Sequence, residues 1–77
     1  MQILEATQNL YLVAYHLTVG SKLAKTIKSN GRVTFYFEAG DGGEITTDFY
    51  NGAAVNIQEY IANLCKARDL AMGEHNG

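Results

Sequence analysis

One cysteine, Cys65, and two histidines, His16 and His75, are the side chains of this 77-residue chain best suited to nucleophilic chemistry. A thiol attacks as its thiolate and needs a base within hydrogen-bond reach, so a catalytic reading requires one of those imidazoles beside Cys65. Cys65 shares a helix flank with Ile61, where a small thiol is usually buried packing, and His75 sits in the tail. We therefore expect no enzyme and assign no catalytic residue. Metal binding through His16 would need at least two further ligands converging on it, and none has the spacing. Gly40-Asp41-Gly42-Gly43 has the glycine content of a phosphate cradle. It lacks the following Gly-Lys-Ser/Thr, and it lacks the alternating carboxylates of a calcium loop. It reads as a plain connection, with no metal and no cofactor implied. The acidic residues fall mainly in loops and first helical turns, where they solvate or cap rather than pair as acid and base.

Charge says more through its layout than through its sum of −2. Lys22, Lys25, Lys28 and Arg32 form an acid-free stretch, and Glu38, Asp41, Glu44, Asp48 and Glu59 follow with no base among them. Two solvated faces explain this simply, and a dipolar surface that orients a partner is the sharper alternative. A nucleic-acid module would use Lys22, Lys28, Arg32 and Tyr36, the ring stacking a base while the cations meet phosphate. Four cations are few for that task, and the adjoining segment is acidic, so nucleic acid is not the expected partner. A second alternative is an inhibitor carried by a phage or mobile element, its Glu38, Asp41, Glu44 and Asp48 occupying a partner's basic groove.

The elements that would position these residues can be read from periodicity. Thr7 opens a helix signal in which Leu10, Val13, Ala14 and Leu17 form one stripe, and Gly20 supplies the stop. Tyr11, Leu12, Tyr15 and Val19 fill much of the remaining circumference, so this helix needs cover on more than one side. We expect part of that cover from a second chain, with Tyr11, Leu12, Tyr15 and Val19 as the interface. Residues 44–50 read as a short helix ended by Asn51-Gly52. Asn56 caps a last helix whose expected inner side is Ile57, Tyr60, Ile61, Leu64, Cys65 and Ala71, with Gly73 as its end and 74–77 a frayed tail.

Between the first helix and the glycine-rich loop, residues 22–28 and 32–38 flank Ser29-Asn30-Gly31 as a β-hairpin. A two-residue Asn-Gly turn would put Leu23 and Ile27 on the face opposite Val33, Phe35 and Phe37. A three-residue loop instead pairs Ile27 with Val33 and Leu23 with Phe37, gathering all five on one side, and the apolar pattern favours it. Lys25 is then the misfit, opposite Phe35.

The stretch Thr7-Gln8-Asn9-Leu10-Tyr11-Leu12-Val13-Ala14-Tyr15, the segment Gly31-Arg32-Val33-Thr34-Phe35-Tyr36-Phe37-Glu38, and Tyr50-Asn51-Gly52 through Val55 together resemble a family of short prokaryotic proteins, a domain of unknown function. The resemblance runs from about Thr7 to Arg68. It implies an order of elements and no chemistry, so no site residue is carried over. This chain departs from the family pattern in its more glycine-rich loop at residues 40–43.

The expectation is one small α+β domain spanning 1–77, ordered over about 3–72: helix, hairpin, short helix or turn, and C-terminal helix. A chain this short hides only about 60% of the surface its unfolded form exposes. A lone cysteine makes no internal disulfide, which leaves self-association to supply stability. Homodimers could extend the sheet at a hairpin edge or pair the first helix with its mate. No apolar run approaches the ~18 residues of a membrane span, and no signal-peptide charge pattern precedes Lys22, so a cytoplasmic, non-enzymatic protein-binding or accessory module is expected.

Overall fold

The computed structural model describes residues 4–38 and 44–73, so the loop at 40–43 and the tail at 74–77 lie outside the described residues. The elements run β1 (Leu4–Thr7), α1 (Leu10–Thr18), β2 (Leu23–Ser29), β3 (Arg32–Glu38), α2 (Glu44–Tyr50) and α3 (Ile57–Gly73). The fold is α+β, as expected, with one strand more than the hairpin. β3 is central and antiparallel to both neighbours in the order β1-β3-β2. The third strand thus comes from the same chain. β1 alternates over only four residues and in the inverted sense, its apolar Leu4 and Ala6 exposed and its core-facing positions, Glu5 opposite Phe37 and Thr7 opposite Phe35, polar, so the pattern does not mark it as a strand.

The hairpin corrects the expected register. Its ladder pairs Ser29 with Arg32, Lys28 with Val33, Ile27 with Thr34, Thr26 with Phe35 and Lys25 with Tyr36. Asn30 at φ 53° and Gly31 at φ 78° make the two-residue turn whose twist matches that of the strands. The local preference of Asn-Gly prevails over the apolar pattern, and Ile27 is left exposed on the outer face. A bulge between Leu23 and Lys25 then brings Leu23 back opposite Phe37. Lys25 meets Tyr36 rather than Phe35, with its ammonium 5.1 Å from the ring centroid.

The helix ends follow local chemistry. The cap of α1 is Asn9 rather than Thr7: Asn9 Oδ1 accepts from the Tyr11 N–H at 3.0 Å, while Thr7 Oγ1 accepts from the Asn9 N–H at 3.0 Å. Gly20, at φ 89°, reverses the chain, with the Ser21 N–H donating to the His16 carbonyl at 2.9 Å and the Gly20 N–H to that of Leu17 at 3.3 Å. Gly52 ends α2 in the same manner, its neighbour Ala53 donating to the Asp48 carbonyl at 3.1 Å. Asn56 Oδ1 accepts from the Glu59 N–H at 3.0 Å and starts α3.

Val13 of α1, Val33, Phe35 and Phe37 of β3 and Ala67 of α3 form the core, with Leu10, Leu17, Leu23, Leu70 and Ala71 packed around them. The inner face of α3 is therefore centred on Ala67, and its exposed side carries Ile57, Ile61 and Cys65, three residues expected inside. Ala67 packs in the core with Val13 of α1, and the larger isoleucines lie on the side of α3 turned away from it. No helix among the described residues is long and apolar enough to cross a membrane.

Candidate functional site

Two arrangements could carry function: a buried polar cluster and an exposed apolar surface. The cluster joins three elements. β1 points Glu5 inward, α1 presents His16, and the turn after α1 supplies Ser21. His16 Nε2 lies 3.2 Å from Glu5 Oε1, and His16 Nδ1 lies 3.0 Å from Ser21 Oγ. The buried imidazole stacks on Phe37 with centroids 4.3 Å apart and planes 9° from parallel. Burial pushes the His16 pKa below the ordinary imidazole value, against the attraction and hydrogen bond of Glu5, which raise it. A neutral ring with its proton on Nε2 satisfies both neighbours, donating to Glu5 and accepting from the Ser21 hydroxyl.

That proton arrangement resembles an activated serine, so the oxyanion donors decide what it can do. The amide groups of Ser21 and of Gly20 before it both donate back to carbonyls of α1. Both amides are thus engaged in the helix cap. The cluster links β1 and the turn that leads into β2 to α1. Sequence reading missed it because Glu5 lies in the unrecognised strand, and the pairs are 11 and 5 residues apart.

Among the described residues, the side chains singled out for chemistry do not assemble, and His75 lies outside the described residues. Cys65 is exposed on α3, and both ring nitrogens of His16 are engaged elsewhere. Among the described residues no three His, Cys, Asp or Glu side chains gather to hold a metal. The basic set divides. Lys22 pairs with Glu38 at 3.7 Å, Lys28 lies opposite Val33, and Arg32 shares the outer face with Tyr36, whose ring is covered by Lys25. Of the acidic set, Glu38 answers Lys22, Glu44 and Asp48 stand exposed on α2, and Asp41 is outside the described residues.

The proposed interface set also divides. Leu12 and Tyr15, 4% and 6% exposed, are buried within the chain itself. Tyr15 lies against Phe49 of α2, with ring centroids 5.6 Å apart, so the second side of α1 is covered intramolecularly. Tyr11 and Val19 remain exposed. Tyr11 stands beside α3: the Tyr60 hydroxyl donates to its carbonyl at 3.0 Å, and Leu10, Tyr11, Leu64 and Arg68 line a shallow cleft. Partial burial, and then the neighbouring Tyr11, raise the Tyr60 pKa. Ile57, Ile61 and Met72 continue the apolar surface along α3.

A small α+β domain, with a sheet covered by helices on one face and an apolar helical surface left open, is what the fold and site define. Residues 5–73 match the model of a domain of unknown function, DUF5659, and the chain belongs to that family. No curated protein and no solved structure matches it.

Proposed function

We propose that the chain is a non-enzymatic protein-binding module that acts as a homo-oligomer. The observation that supports it is the apolar surface of Tyr11, Ile57, Ile61 and Met72, left open after the core has closed. Large contiguous apolar patches on a small domain mark contacts with other macromolecules. The division of Lys22, Lys28, Arg32 and Tyr36 among different contacts weighs against a nucleic-acid face. A lone unpaired thiol fits work in the reducing cytoplasm.

Light scattering on a dilution series tests the reading. A mass that is a multiple of the chain's and falls toward a single copy on dilution is expected; a single-copy mass throughout overturns it. Mixed oligonucleotides should pass unretarded at low salt. Retardation that disappears steeply as salt rises would move the function to the basic hairpin.

A further inference from the structure

We infer that two copies pair through α3, antiparallel about a twofold axis that passes between Leu64 and Cys65. This rests on the homo-oligomeric reading above and gives it a surface. Ile57, Ile61, Leu64, Cys65, Arg68 and Met72 follow one another at intervals of 4, 3, 1, 3 and 4 residues. The spacing is the same read from either end. Residues three and four apart share a helix face, so the six form one stripe along α3.

A twofold helix contact requires that if one residue meets a second, the second meets the first. Antiparallel α3 helices meet that condition with this stripe: Ile57 lies opposite the partner's Met72, Ile61 opposite the partner's Arg68 and Leu64 opposite the partner's Cys65. Arg68 covers Ile61 with its aliphatic stem and keeps its guanidinium at the margin in water. The stripe carries no carboxylate, so pairing buries no acid. Antiparallel helices also set their dipoles in opposition.

The exposed area approaches what a dimer needs. Tyr11, Ile57, Ile61 and Met72 are 61%, 64%, 52% and 61% exposed. At roughly 200 Å² for a fully exposed side chain of this size, these four leave roughly 500 Å² uncovered. Leu64, Cys65 and Arg68 extend the same patch toward the ~800 Å² per partner of a standard interface.

Cys65 is the only thiol in the chain, which makes it a specific reporter of the axis. A bis-maleimide whose reach matches the ~8–10 Å between packed helices should join Cys65 to the partner's Cys65 in wild-type protein. Ile61→Glu, at an exposed position, should keep native circular dichroism, give a single-copy mass by light scattering and lose at least nine-tenths of the cross-link. Ile27→Glu, on the outer sheet face, should stay dimeric and cross-linked. An oligomeric wild type that neither cross-links nor responds to Ile61→Glu overturns the α3 pairing and leaves the homo-oligomer intact. A wild type that is monomeric at every concentration overturns both.

Discussion

His16 is held neutral by its surroundings, and this gives the folded chain a defined response to acid. The ring has Phe37 flat against it, Glu5 at one nitrogen and Ser21 at the other. Its pKa in the folded state lies below the ordinary value, so the unfolded chain takes up the proton first as pH falls. Above ~6.5 both states are neutral and the group has no effect. Between the ordinary and the lowered value, protonation favours the unfolded chain, and stability declines with falling pH. Urea denaturation at about pH 7.5 and about pH 5.5 should show that decline, at no more than ~1.4 kcal/mol per pH unit for one proton. His16→Gln should remove it; an unchanged slope in that variant would mean that another group titrates. None of this was legible from residue types alone. An isolated His in an apolar helix says nothing of its partners: Glu5 comes from a strand whose inward residues are polar, and the direction of the pKa shift comes from burial in the folded chain.

Secondary-structure elements were legible where the determinant is local. Gly20, Gly52 and Asn56 act within their own helix ends, through positive φ or a capping carbonyl, and each was found at its expected position. The hairpin register departs from the expected one because two determinants compete there, and the turn preference of Asn-Gly outweighs the apolar pattern that favours the three-residue loop. With Asn30 and Gly31 both left-handed, the turn fixes the first pairs, and the bulge at Leu23/Lys25 repairs the last. The turn can be tested alone. A Cβ at Gly31 would meet no atom within 4 Å, so any cost of substitution there is conformational. Gly31→Ala should lower stability by about 1–2 kcal/mol, and Gly31→Asn by less, because Asn tolerates the left-handed region. Equal losses in denaturant titrations would contradict a left-handed Gly31. The face of α3 was misread for a different reason. Its apolar arc is wider than one contact requires, so a helical wheel cannot say which edge is inside, and the fully buried Ala67 marks the edge that packs on the core.

Whole-molecule stability joins the core to the proposed pairing. Phe35 is fully buried at the centre of the sheet, and Phe35→Ala should cost about 3–5 kcal/mol through lost transfer energy and the cavity it leaves. A domain of this length has about 4–12 kcal/mol in total, so the isolated variant would sit near its unfolding threshold. If two copies fold as a pair, mass action adds a term the core does not contain: each tenfold rise in concentration should stabilise the pair by about 1.4 kcal/mol. Phe35→Ala should therefore regain folded structure as its concentration rises, visible as an upward shift of the thermal midpoint by circular dichroism. The double variant Phe35→Ala with Ile61→Glu should show no such shift, since Ile61 lies outside the core and acts only through the contact. A midpoint that rises equally in both chains would place the stabilising contact elsewhere on the surface; a Phe35→Ala chain with near wild-type stability at low concentration would show that β3 does not carry the core.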